Sequence, residues 1–91
     1  MTKFASPHKK LEAIFDEASL YDDVDDSVNL TLDGNDAGHV QILRGSVYGG
    51  RTMYIGGLWL TESTMWTADE RKTYAEAAAD VVNKLIELGR L

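Results

Sequence analysis

The sequence predicts an α+β fold in two layers, on three observations. Apolar residues recur at helical spacing near the N-terminus, at alternate positions in the middle of the chain, and again at helical spacing near the C-terminus. We therefore predict the order α-β-β-β-α, a three-stranded antiparallel meander with an N-terminal helix and a long C-terminal helix on one face. With 91 residues, the chain is long enough for one hydrophobic core, so residues 1–91 are expected to form a single domain.

The first helix is predicted to begin at Ser6-Pro7. Serine can cap the free backbone N–H groups, and proline is tolerated at the first helical position. Four apolar residues follow at helical spacing and predict one buried stripe: Leu11, Ile14, Phe15 and Ala18.

The period changes to two after Ser27, where apolar residues alternate with polar ones and predict the first strand. Residues 33–38 are rich in Asp, Gly and Asn and predict a loop. The second strand is expected from about His39 to Tyr48 and the third from Arg51 to about Thr61. The glycine pair between them predicts a two-residue hairpin turn at Gly49-Gly50.

The apolar pattern of the third strand indicates an irregularity in its register. Its apolar positions shift from Met53 and Ile55 to Leu58 and Leu60, an odd step that exchanges the two faces of a strand. A β-bulge inserts the extra residue that restores the alternation. We therefore predict a bulge, with Gly56-Gly57 as its site and Gly45-Ser46 as the other candidate.

The second helix is predicted from Thr67 to Gly89. Thr67 and Glu70 have the spacing of a capping box, and Gly89 is the expected stop. About 21 residues at roughly 1.5 Å each give a helix long enough to cross the sheet. Its expected apolar face is formed by Tyr74, Ala77, Ala78, Val81, Val82, Leu85 and Leu88.

With both helices on one face, the other face of the sheet is expected to be bare. An antiparallel sheet tolerates one face in water. Here that face is expected to carry Thr52 and some of the aromatic residues Tyr48, Tyr54 and Trp59, and exposed aromatic side chains favour a binding partner.

Charge is unevenly distributed along the chain, whose net charge is −6. Between Lys10 and Arg44 there is no Lys or Arg, and this stretch contains nine acidic residues: Glu12, Asp16, Glu17, Asp22, Asp23, Asp25, Asp26, Asp33 and Asp36. One interpretation is a surface directed at a basic partner, where carboxylates replace the phosphates of a nucleic acid. The other is a solvated surface that only keeps the protein soluble.

Several functional classes are disfavoured. The chain has no cysteine and lacks an apolar run long enough for a signal peptide or a membrane span, so a cytoplasmic protein without disulfides is expected. The acidic loops do not match the calcium-binding EF-hand pattern, the glycines do not match a phosphate-binding loop, and no nucleophile motif accompanies His8 or His39. The net negative charge disfavours direct binding of nucleic acid. We therefore predict no catalytic residue, no metal site and no cofactor.

The sequence thus favours a small, acidic, non-enzymatic protein-binding module, an inhibitor or adaptor. Its sharpest form is a nucleic-acid mimic of the kind carried by mobile elements, which blocks a nuclease or another nucleic-acid-binding machine. The alternative is a structural protein that forms homodimers, and a third hypothesis is a small enzyme or calcium module. The predicted partner-binding residues are the nine acidic residues named above together with Tyr48, Tyr54 and Trp59.

Overall fold

The computed structural model describes residues 5–16, 26–45 and 50–91, which form one antiparallel sheet and one helix. The five strands lie in the sheet in chain order, so the protein is an α+β open sheet with a C-terminal helix. The elements are β1 (Leu11–Asp16), β2 (Ser27–Leu32), β3 (Asn35–Leu43), β4 (Met53–Trp59), β5 (Met65–Thr67) and α1 (Tyr74–Glu87).

The predicted N-terminal helix is wrong, because its residues form strand β1. The apolar residues of this segment also alternate, and pairing with β2 places them on the side of the core. Leu11 lies opposite Leu32, Ala13 opposite Leu30, and Phe15 opposite Val28. The Ser6 hydroxyl, expected to cap a helix, instead donates a hydrogen bond to the Leu11 carbonyl oxygen.

The loop predicted over residues 33–38 is a two-residue turn. Asp33 and Gly34 both have positive φ, 52° and 79°, as a tight turn between twisted antiparallel strands requires. Strand β3 therefore starts at Asn35.

The bulge lies in the β2–β3 pair, not at Gly56-Gly57. Leu30 pairs with Gly38 and Thr31 with Asp36, so Ala37 is the extra residue. The described β3–β4 pairs run in one register from His39 opposite Gly57 to Leu43 opposite Met53. Strands β3 and β4 are joined by residues 44–52, and the predicted two-residue turn at Gly49-Gly50 lies partly outside the described residues, because Gly49 is not among them.

The core lies between α1 and one face of the sheet. Two strand glycines allow the helix to approach closely: a Cβ atom at Gly56 would lie 2.6 Å from the Ala77 carbonyl oxygen, and one at Gly38 would lie 2.8 Å from Val81 Cγ1. The buried core cluster contains Leu11, Val28, Leu30, Val40, Ile42, Leu58, Ala77, Ala78, Val81 and Leu85.

The ends of α1 show which part of the helix prediction was right. The helix has 14 residues, and its N-cap is Thr73, whose side chain accepts a hydrogen bond from the Glu76 backbone N–H. Thr67, the predicted cap, is the last residue of β5. The predicted end is confirmed: Gly89 has a φ of 72° and donates to the Ile86 carbonyl oxygen at 3.0 Å.

Replacing Thr73 with alanine is expected to lower the free energy of unfolding by about 1 kcal/mol, because the Glu76 N–H loses its acceptor. The control is Thr67→Ala, which removes the same atoms from an exposed strand residue and is expected to change stability by less than about 0.5 kcal/mol. Urea unfolding followed by circular dichroism measures both. A larger loss for Thr67→Ala would contradict this helix start.

Candidate functional site

The face of the sheet opposite α1 is the candidate site, and we call it the open face. Side chains alternate between the two faces of each strand, and paired residues share a face. Because Val28, Val40 and Leu58 face α1, their neighbours face away from it. In the described strands, the open face is formed by Glu12, Ile14, Ser27, Asn29, Thr31, Asp36, His39, Gln41, Leu43, Met53, Ile55, Gly57, Trp59, Met65 and Thr67.

Large apolar side chains on the open face differ in exposure: Leu43 on β3 is buried, at 6%, whereas Trp59 and Met65 are left in solvent. Trp59 and Met65 lie opposite each other on β4 and β5 and are 45% and 41% exposed. We call these two residues the anchor pair. Ile14 on β1 is also exposed, while Met53 and Ile55 on β4 are half-buried. A flat surface with a solvent-exposed tryptophan at one side has the chemistry of a protein contact.

The charged residues of the described strands are all acidic. None of the five strands contains Lys or Arg, and two exposed carboxylates, Glu12 and Asp36, lie on the open face. Both pair with Thr31, one from each side, so they belong to one row across the sheet. The extra residue Ala37 turns Asp36 to the same face as His39, although the two are three positions apart.

His39 occupies the centre of the open face. It lies between Asn29 of β2 and Gly57 of β4, and its imidazole covers the glycine. A Cβ atom at Gly57 would lie 2.8 Å from His39 Nε2 and 3.0 Å from Cε1. The ring is half-buried, and this burial lowers the pKa of His39 below its usual 6.5, partly opposed by the Asp36 carboxylate.

The predicted site residues lie in different parts of the structure. Trp59, Glu12 and Asp36 lie on the open face, and Asp33 is exposed in the β2–β3 turn. Tyr54 lies on the opposite side, half-buried against the core. Of the three aromatic candidates for the bare face, Tyr54 is therefore one that does not lie on it.

Asp26 differs from the other described acids because it is buried. It is 8% exposed, and its carboxylate pairs with the Arg44 guanidinium. Its role is therefore structural, and it contributes little to the exposed negative surface. Asp16 ends β1. The remaining predicted residues, Glu17, Asp22, Asp23, Asp25 and Tyr48, lie outside the described residues.

Sequence reasoning missed three residues of the open face. Ile14 was assigned to a buried helical stripe, and neither Met65 nor His39 was among the predicted partner-binding residues. Alternation of Leu11, Ala13 and Phe15 is the signal that would have placed Ile14 on the exposed side.

A second concave region lies on the helix side, between β5 and α1. This cleft has a volume of about 390 Å³ and is lined by Trp66, Arg71, Asp80 and Lys84 among others. Two of its basic groups have acidic partners: Arg71 Nε donates to Asp80 Oδ2 at 2.8 Å, and Lys84 Nζ donates to Glu87 Oε1 at 3.3 Å. Lys84 Nζ also lies 5.4 Å from the Trp66 ring centroid. The hydrogen bond to Asp80 raises the pKa of Arg71. These contacts hold α1 against the β4–β5 side of the sheet.

Two further findings concern only residues 5–16, 26–45 and 50–91. No three His, Asp or Glu side chains there are grouped so that they could hold a metal ion. The helix there is too short and too polar to span a membrane.

A scan against protein-family models, a search of curated proteins and a search of solved structures each find no match for the chain. A functional conclusion therefore depends on the open face itself.

Proposed function

We propose that this protein is a small, non-enzymatic protein-binding module that docks on a basic partner through the open face. The observation that carries the proposal is the anchor pair, Trp59 and Met65, exposed together on a face that no described element covers. Such a module acts as an inhibitor or adaptor, because it occupies a surface of its partner without changing it chemically.

The apolar part of the open face supplies affinity. Tryptophan is enriched among the few residues that carry most of the energy of protein interfaces, since it buries a large area at a small cost in conformational entropy. Ile55 and Met53 continue the apolar surface along β4 from Trp59. A partner that covers the anchor pair removes this surface from water.

The charge of the open face favours a basic partner over a second copy of the chain. Glu12 and Asp36 are its exposed charged residues, and the five strands contain no Lys or Arg to pair with them. Two copies meeting through this face would oppose like charges, and each carries a net charge of −6. A partner surface that carries Lys or Arg around an apolar centre is complementary to the open face.

The narrower proposal is mimicry of a nucleic acid by spaced carboxylates. Among the described residues, Glu12, Asp33 and Asp36 are exposed acids able to replace phosphates. Asp26 does not take part, because Arg44 neutralises it. If this version holds, DNA or RNA competes with the protein for the captured partner.

Self-association is the second candidate function, and the exposure of the anchor pair is the observation that favours it. A homodimer that buries Trp59 and Met65 removes the same apolar surface from water. Sedimentation at several concentrations separates the two candidates. A monomer at all concentrations supports a foreign partner.

Replacing Trp59 with alanine is expected to weaken partner binding by about 2 kcal/mol or more, roughly thirtyfold in Kd. The matched control is Ile86→Ala, which removes an apolar side chain that is 54% exposed on the helix. It is expected to leave binding unchanged. The measurement is affinity capture from a lysate of the source organism, followed by titration of the captured protein against the three chains.

Three outcomes of this experiment would contradict the proposal. Equal losses for Trp59→Ala and Ile86→Ala would place the contact elsewhere. A partner retained equally at low and high salt would exclude electrostatic binding to a basic partner, because contacts between exposed charges are screened by salt. Recovery of the protein alone, together with a dimer in sedimentation, would establish self-association instead.

A further inference from the structure

The His39 ring, at the centre of the open face, packs directly on the backbone of Gly57, and we call this position of the ring its seat. Gly57 has no side chain, and the His39 imidazole fills the space above it, with Nε2 2.8 Å from where a Cβ atom would lie. Along β4, the residues on either side of Gly57 on this face are Ile55 and Trp59. The neutral ring therefore completes a continuous surface that runs from Ile55 through the imidazole to the anchor pair.

The surroundings of the ring favour its neutral form. Strand β2 presents Asn29 and Thr31 beside it and β4 presents Ile55 and Trp59, none of which is charged near neutral pH. Within residues 5–16, 26–45 and 50–91, the charged group that acts on the ring is Asp36 of β3, and Glu12 lies in the same row on the more distant β1.

Burial outweighs the attraction of Asp36, so the pKa of His39 is lowered from 6.5. A protonated ring is disfavoured by this burial and attracted by the Asp36 carboxylate. Because folding favours the neutral ring, the free energy of unfolding falls as the pH drops below 6.5 and through the folded pKa.

We propose that His39 is a proton-sensitive element of the open face, which is seated on Gly57 when neutral and leaves this seat when protonated. Departure of the ring opens a gap between Ile55 and Trp59 and places a positive charge at the centre of the surface.

The consequence for binding rests on the proposed function. A basic partner on the open face excludes water from the ring and brings Lys or Arg close to it, and both effects oppose protonation. Binding therefore holds His39 neutral, and protonation releases the partner. Affinity is expected to decrease as the pH falls below 6.5.

The test is an NMR titration of the free 91-residue protein between about pH 5 and pH 8. The His39 ring, the Gly57 amide and the Trp59 indole N–H are expected to titrate together, with one midpoint below 6.5. Substitution His39→Gln is expected to abolish the changes at Gly57 and Trp59, and His8→Gln is expected to preserve them.

A second variant keeps the test independent of how well His39→Gln folds. The added methyl group in Gly57→Ala occupies the seat, so the His39 midpoint is expected to move up toward 6.5. The proposal is overturned if the ring titrates without changes at Gly57 and Trp59, or if its midpoint lies at or above 6.5. This titration needs no partner, so it can fail while Trp59→Ala still weakens partner binding. Conversely, the titration can succeed while Trp59→Ala leaves partner binding unchanged, so the two proposals fail separately.

Discussion

The substitution Gly56→Ala is expected to lower the free energy of unfolding by about 3 kcal/mol. The new methyl group would lie 2.6 Å from the Ala77 carbonyl oxygen and 2.7 Å from Val81 Cγ2, so α1 must move away from the sheet. A backbone carbonyl inside a helix cannot turn aside without breaking the helix. Since a small domain is stable by only about 5 to 15 kcal/mol, this loss is a large fraction of the total. Urea unfolding followed by tryptophan fluorescence measures it.

The neighbouring glycine provides the matched control. Gly57→Ala adds the same methyl group on the open face, where its nearest neighbour is the movable His39 ring. Rotation of that ring relieves the closest contact and leaves the Trp66 carbonyl oxygen at 3.2 Å, so the expected loss is about 1 kcal/mol, smaller than for Gly56→Ala. Equal losses for the two variants would show that the close approach of α1 to Gly56 does not limit stability.

Replacing Asp26 with lysine is expected to lower the free energy of unfolding by about 2 to 3 kcal/mol, because the buried position loses an ion pair whose other member, Arg44, is 66% exposed. The Asp26 side chain is 11% exposed and accepts from Arg44, so a lysine there would be buried beside a like charge. The Asp26 carbonyl oxygen also accepts a hydrogen bond from the Ile42 N–H at 2.8 Å, which holds this position against β3. Thermal unfolding followed by circular dichroism measures the loss.

An equivalent charge reversal at an exposed acid serves as the control. Asp36→Lys is expected to change stability by less than about 0.5 kcal/mol, because the residue is exposed on the open face. It is also expected to weaken capture of a basic partner while the fold persists. If Asp26→Lys instead leaves stability intact, Asp26 belongs with the exposed acids that sequence reasoning grouped it with.

The α+β class and the C-terminal helix follow from periodicity, whereas the first element does not. Leu11, Ile14 and Phe15 fit a helical stripe, but Leu11, Ala13 and Phe15 fit a strand equally well over six residues. Short apolar segments are ambiguous in this way. Pairing with β2 decides between them, and that pairing is a property of the folded sheet.

Glycine positions were predicted less well than apolar positions for a related reason. Gly56 and Gly57 were interpreted as a local bulge, but each is explained by a tertiary contact. Gly56 leaves space for α1, and Gly57 leaves space for the His39 ring. Neither contact has a local sequence signal. The two threonines at the start of the helix region show the same limit, since Thr67 and Thr73 both precede a Glu by three residues.

The candidate site was predicted in part. Trp59 was one of three aromatic candidates for the bare face, and it is the one that the structure describes as exposed there. Counting charges along the chain could not separate Asp26 from Asp36, since only the fold brings Arg44 to one of them. Acidic residues that are close in sequence therefore do not necessarily form one exposed acidic surface.

The chain order of the strands has a consequence for how the protein folds. Each strand pairs with its neighbours in sequence, and hairpins of this kind close quickly because little chain must be ordered first. The helix follows all five strands, so it emerges from the ribosome after them. Until then both faces of the sheet are exposed, and Leu30, Val40 and Leu58 have no cover. Docking of α1 is therefore the step that ends the period in which the nascent chain can aggregate.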